Sequence, residues 1–454
     1  MTGSGNQPSL FKQLKNSMAG QEIIMEHLAQ IFSEMEASLN GLTGSPLHQF
    51  QKNAFSTLRV VDFPSRKHED WKYTPVQKLL SPNYKLAGIL TGEKIKPVDG
   101  LDSYVLEINN GRVNIEAAAK NLSATGIKLY SLAEAYPLQD WKDAFETQLL
   151  EYAADSNRAF DFLNFSFNTN GLFLDIPKGL KLDKPVEIRI THQDDQVSFS
   201  HPLLFIRCGQ ESEVSFFERL EHPIHNPEVI PEGLINSLLL FKIKKGARVH
   251  HVKWQNLPLQ QNLVYKLAAT QERDSYFQTF AFDIGGKVVR NNVEVDMLES
   301  NTYTSLQAGY MATGKQSIDH QTRIHHQVHH CESHEHYKGI IDDQANGAFN
   351  GKVYVHPDAQ KTNAYQQNDT LVLSPNAVMN SKPQLEIFAD DVKCSHGATI
   401  GQLDQKALFY LKSRGIQGDQ AIDMLKAAFL ATIVSQIPND AIREYITNSM
   451  SLDI

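Results

Sequence analysis

From about residue 185 to residue 404 the chain is a nearly unbroken succession of short runs rich in Val, Ile and Phe, separated by turn residues. VEIRI, EVSFFERL, LLLFKIKK, ARVHHVKW, FQTFAFDI and NNVEVDML each have strand length and are bounded by Gly, Pro, Asn or Asp. So long a stretch with hardly any helical period leaves a sandwich, a barrel or a β-solenoid. A loose recurrence of turn phrases favours the solenoid. Ala345, Ala359 and Ala377 each follow a polar residue in such a phrase, at intervals of 14 and 18 residues, too irregular to name a standard repeat.

The two ends read differently. Up to about residue 58 apolar residues recur at helical spacing, as in Ile23, Ile24, His27, Leu28, Ile31 and Phe32, with Gly20, Gly41 and Pro46 as breaks. A mixed segment follows to about residue 177, with DFPSRKHEDWKYTPVQKLL near its start and a strand-like piece at 104–108. Past the strand region, the Asp404 carboxylate can cap a helix through Ala407, Leu408, Leu411 and Lys412 that stops at Gly415. Asp419 is expected to cap a second helix with an apolar stripe of Ile422, Leu425, Phe429 and Ile433, closed by Pro438, and Asp440 to start a third. The expected division is a helical and mixed region at 1–180, a β core at 181–403 and a helical domain at 404–454.

Lys and Arg total 43 against 52 Asp and Glu, a formal charge of -9 that argues against coating a polyanion such as nucleic acid. No stretch reaches the ~18 apolar residues of a membrane span, and no secretory leader is legible at the N-terminus, so a cytoplasmic chain is expected. Cys208, Cys331 and Cys394 are too few and too scattered for a disulfide framework.

Four motifs bear on chemistry. Gly309 to Lys315 has the spacing of a phosphate-binding loop, but Gln316 stands where Mg²⁺ needs a hydroxyl and the segment opens no helix, so ATP chemistry would have to come from another chain. His320, His325, His326, His329, His330, His334 and His336 fall within 17 residues together with Cys331, where an even spread of the 18 histidines predicts fewer than one. These are Zn, Fe or Cu ligands, and the even-numbered ones would share a face of one strand, yet no ligand spacing dictates a geometry. A histidine-rich solenoid face or a subunit contact accounts for them as well. Cys394 and His396, at i and i+2 of an extended segment, project to one side and could share a metal, though two ligands do not complete a site and point toward an interface. A buried, inert Cys beside a turn His is the plainer alternative. Asp342-Asp343 and Asp390-Asp391 point to opposite strand faces and read as turns rather than acid–base pairs.

The segment SKPQLEIFADDVKCSHGATIGQLDQKALFYLKSRGI, residues 381–416, resembles the C-terminal signature of the SufB/SufD family of iron–sulfur cluster assembly proteins. Supporting phrases follow in order: Glu69-Asp70-Trp71-Lys72-Tyr73-Thr74, Gly285-Gly286, Arg290-Asn291, Asp319-His320, His330-Cys331, Tyr337-Lys338-Gly339, Phe349-Asn350-Gly351-Lys352 and Ala359-Gln360-Lys361-Thr362. The phrase from Cys394 to Thr399 is similar to the SufD branch rather than to SufB. His326, His334 and His336 look additional to the family pattern.

The resemblance implies a right-handed parallel β-helix flanked by helical regions. It implies a non-catalytic scaffold subunit that pairs with SufB and binds one copy of the ATPase SufC through its C-terminal helices, near Leu408, Phe409, Leu411 and Arg414, with no nucleotide on this chain. A homodimer of the lone chain stays open. It further places His396, with Cys394 beside it, at the SufB interface as a ligand to iron or to a nascent cluster held only in the complex. Two competing readings are a mononuclear metalloenzyme using the histidines of 320–336 and a carbohydrate-active β-helix. The second lacks a secretory leader and a usable carboxylate pair.

Overall fold

The computed structural model describes residues 10–38, 44–89, 94–138, 156–223 and 230–451. The backbone through the strand-rich region alternates between two sheets. One contains Leu172–Ile176, Leu203–Cys208, Gly233–Ile243, Gln261–Gln271, Val288–Met297, Ser317–His326, Asn346–Val355 and Val378–Ile387. The other contains Val186–Thr191, Glu213–Glu221, Arg248–Asn256, Tyr276–Asp283, Tyr303–Ala312, Glu332–Ile341, Asn363–Val372 and Lys393–Gly401. Each strand pairs in parallel with the strand one coil later, as Val289 with Ile318, Ile318 with Gly347 and Gly347 with Met379. The result is a parallel β-solenoid of about eight turns.

The turn phrases are its corners. The amides of Ala345, Ala359 and Ala377 each donate to the carbonyl three residues back, on Asp342, His356 and Ser374, closing equivalent turns. The unequal intervals are the two halves of a single coil, because Val378 lies 32 residues after its partner Asn346. Asp342 and Asp343 belong to one such turn, where the Asp343 amide donates to the Asp342 carboxylate at 2.8 Å, and Asp391 pairs with Lys361 in another.

Alternate residues of each strand fill the lumen, among them Leu263, Leu267, Val289, Val293, Ile318 and Ile324. The outer faces are covered too. Leu234, Leu238, Leu240 and Val264 pack against Phe160 and Phe162 of the helix Ala159–Phe167. On the other sheet Phe217, Val252, Trp254, Phe280 and Phe282 pack against Leu430, Ile433 and Ile446 of the C-terminal helices. Strands buried on both faces need no polar alternation, which is why runs such as SLLLFKI are apolar throughout. Strands from before residue 181 join the same sheets: Leu172–Ile176 pairs with Leu203–Cys208, and Tyr104–Asn109 with Val186–Thr191.

Two details of the C-terminal helices differ from expectation. Helix Gly418–Val434 has Gln417 at its N-cap, with Asp419 one residue inside the first turn. Its buried side is Ala421, Ala427, Leu430, Ile433 and Val434, with Ile422, Leu425 and Phe429 only half-buried. Small alanines let the helix approach the sheet closely, so the contact face does not coincide with the most hydrophobic stripe. No described helix is long and apolar enough to cross a membrane.

A buried ionic node helps to fasten the N-terminal region. The Arg290 guanidinium lies 4.2 Å over the Trp71 ring and donates to Asp319 at 2.7 Å and to the Asp70 carbonyl at 2.6 Å. Thr74 donates to the same Asp319 oxygen at 2.5 Å, and Trp71 stacks on Phe160 at 5.1 Å. Arg290 and Asp319 are almost fully buried. Removing one partner leaves the other as an uncompensated internal charge, so Arg290→Ala is expected to cost about 3–5 kcal/mol. Denaturant unfolding of the full chain checks this; a loss under about 1 kcal/mol means that the node is solvated.

Candidate functional site

Val378–Ile387 ends one sheet and Lys393–Gly401 ends the other. Each of these strands has a neighbour on one side only among the described residues, leaving a row of backbone donors and acceptors without a sheet partner. Val378, Ile387, Phe388 and Ile400 are exposed on this last coil.

His396 is on it. Cys394 registers with Ala364 and His396 with Gln366, both of which are buried on the lumen side. Cys394 and His396 therefore share the lumen-facing row, and His396 is exposed because no further coil covers it. Cys394 is half-buried against the cluster of Val353, Val355, Ala359 and Ala364. Burial pushes its thiol up, so it packs here as a neutral group and not as a ready thiolate. A Cβ on Gly397 would meet the Gln367 side-chain oxygen on the outer face, so a larger residue there displaces that side chain.

One coil further in, Gln366 registers with Glu335, and its side-chain N–H donates to the Glu335 carboxylate. Across the lumen Gly351 has no room for a Cβ because the Gln366 amide occupies it. Glu335 is fully enclosed, and burial pushes its carboxyl up to about 7 although hydrogen bonds from Thr322 and Gln366 pull the other way. Neither residue is singled out by sequence reasoning. They are 31 positions apart, and only the coil register joins them.

The histidine cluster does not converge. His320 and His326 face the lumen, and burial lowers their imidazoles to about 4 and about 3, keeping both neutral. His325 lies against the Tyr354 ring at 5.5 Å, and His329 and His330 contact each other in the turn that follows. His334 pairs with Glu332 at 2.6 Å and His336 with Asp369 at 3.0 Å on the outer face of the opposite sheet. Alternation holds within a strand, but the corner at 327–331 moves the chain to the other sheet and resets the facing. Among the described residues no three His, Cys, Asp or Glu side chains form a metal-binding group. Cys331 is buried, with its thiol raised by burial.

The helix Gln405–Ser413 begins as expected, with the Asp404 carboxylate accepting from the amides of Lys406 and Ala407. None of its residues is fully buried. Leu408 and Leu411 are half-buried, Phe409 is 74% exposed, and the exposed Arg414 guanidinium sits 5.2 Å over the Tyr410 ring.

Residues 189–429 match the family described as SUF system FeS cluster assembly, SufBD core domain, and residues 22–188 match the SufBD protein N-terminal region. The chain belongs to the SufBD family. An iron–sulfur cluster assembly SufBD family protein of Synechocystis is 28% identical over 91% of this chain and 93% of its own length. The chloroplastic protein ABCI7 of Arabidopsis thaliana is 27% identical over 92% and 89%, and SufD of Escherichia coli 26% identical over 88% and 90%. Several phrases that carry the family likeness are structural in this fold: Arg290 and Asp319 fasten the Trp71 segment, and Gly339 leaves room for the Tyr310 hydroxyl.

Glu335 gives a pH test of the site. Its folded pKa lies above the unfolded value near 4.5, so its stabilising contribution is present below about pH 4.5 and is lost as pH rises through about 7. Glu335→Gln removes that loss. The variant is expected to gain about 2.5 kcal/mol relative to the parent between pH 5 and pH 8.5. Unfolding curves at the two pH values measure the difference, and a pH-independent difference would show an ordinary carboxyl.

Proposed function

We propose that this chain is a non-catalytic, SufD-type scaffold subunit of iron–sulfur cluster assembly, that its open solenoid end pairs with SufB, and that His396 supplies an imidazole nitrogen to iron there. The observation that carries the reading is the place of His396: on the lumen-side row of the last coil, exposed, between two unpaired strand edges. A partner strand set against those edges satisfies their backbone groups and covers Val378, Ile387, Phe388 and Ile400. The partner must also complete the ligand set, because one imidazole does not hold a cluster. Cys394 can join only after iron draws off the proton that burial retains. Without SufB the same edges are available to a second copy of the chain.

The helix Gln405–Ser413 is the docking element for SufC in this reading. Phe409 offers apolar area that the chain itself does not cover, flanked by Leu408, Leu411 and Arg414. The loop-like phrase from Gly309 runs along the strand Tyr303–Ala312 and opens no helix, in keeping with ATP being held by the partner. ATP binding would draw two SufC copies together and strain the pair through the C-terminal helices, opening the interface to iron and sulfide.

The test is co-expression with SufB and SufC and anaerobic purification of the complex. His396→Ala is expected to retain both partners while iron and sulfide fall at least fivefold. Unchanged cluster content removes His396 from the ligand set, and failure of the wild-type chain to pair removes the scaffold reading. Phe409→Glu is expected to weaken SufC binding by roughly 100-fold, the loss of one apolar anchor, with SufB retained. Titration calorimetry against SufC measures it, and wild-type affinity would place the dock elsewhere.

A further inference from the structure

Beneath His396 lies a side chain with one polar atom that has no hydrogen-bond partner. Gln366 is fully buried, and its amide is held at one end only: the N–H donates to Glu335, while the oxygen Oε1 has no hydrogen-bond partner. An orphaned buried carbonyl is costly, so its presence asks for an explanation. Above about pH 7, where Glu335 is ionised, the anchoring carboxylate fixes the sense of the amide, because it accepts and cannot donate. With N–H turned inward to Glu335, the oxygen is left for the next coil outward, and the residue in register there is His396. Adjacent strands are about 4.8 Å apart, within reach of an imidazole N–H on the same row. Gly351, across the lumen, leaves the space that the Gln366 amide occupies.

We infer that Gln366, oriented by Glu335, is a positioning residue for His396: its side-chain oxygen accepts one imidazole N–H and leaves the other nitrogen's lone pair free for iron. A ligating imidazole needs such an acceptor on its far nitrogen, since that bond sets the tautomer, limits ring rotation and raises the basicity of the donor atom. The inference takes its chemical purpose from the proposed role of His396, but the tether itself belongs to this chain alone.

The experiment uses the full chain labelled with ¹⁵N at histidine, held at pH 8.5, with His396 assigned by the signal that His396→Ala removes. The wild-type chain is expected to show one dominant His396 tautomer, and Gln366→Met, which keeps length and loses the amide, the mixture typical of free histidine. In the complex with SufB and SufC, Gln366→Met is expected to lower cluster iron at least threefold with subunit ratios unchanged. A free-histidine mixture already in the wild-type chain overturns the tether without any variant, as does a tautomer that Gln366→Met leaves unaltered. If His396→Ala retains full cluster content while the tautomer still responds to Gln366, the tether stands and the ligand role of His396 falls.

Discussion

Backbone hydrogen bonding governs this molecule. In a parallel solenoid every coil satisfies the N–H and C=O groups of its neighbour, and among the described residues nothing does so for the outer edge of the last coil. The same geometry that closes the lumen along most of the length leaves it open at Val378–Ile387 and Lys393–Gly401. A row of side chains that is interior everywhere else becomes exterior there. His396 is accessible for that reason alone: one coil earlier its position is held by Gln366, which is fully buried.

The lumen is also a place where charge is costly, and its occupants reflect that. Lys253 is paired with Asp283 at 2.7 Å and bonded to Asn291 at 2.6 Å, and Tyr265 donates to Glu218 at 2.6 Å. Burial keeps His320 neutral at ordinary pH. Interior polar groups answered in this way fix the rotamers around them and favour one register over its slips. Glu335 departs from the pattern: among the described residues no cation pairs with it, and burial raises its carboxyl. It stands two coils in from His396 on the same lumen-facing row.

How much of this was legible in the sequence depends on the range of the interaction. Local signals were sound: the strand texture, the Asp404 cap, the turns at Ala345, Ala359 and Ala377, and the shared side of Cys394 and His396 all follow from a few consecutive residues. Asp419 fell one residue inside its helix, a displacement that cap signals do not resolve. Longer inferences failed where a corner intervened. Treating the histidines as one strand face ignored the turn at 327–331, which separates His320 and His326 in the lumen from His334 and His336 outside. Glu335 and Gln366 were invisible, because a pair 31 residues apart in a coil of irregular length leaves no local pattern.

Register also ties the two ends of the proposed mechanism together. The strand Glu332–Ile341 points Glu335 inward and Lys338 outward. Lys338 donates to the Phe429 carbonyl at 3.0 Å and to the Thr432 hydroxyl at 2.7 Å, so the helix Gly418–Val434 is bonded directly to that strand. The next strand of the same sheet carries Gln366, joined to the first by His336 with Asp369 on the outside and by Gln366 with Glu335 on the inside. A load on the C-terminal helices therefore meets a stiff, two-sided connection to the coil under His396 and not a loop that would absorb it. In the proposed mechanism the exposed helix Gln405–Ser413, between the last strand and the helix Gly418–Val434, would give a docked partner a short path to the open end.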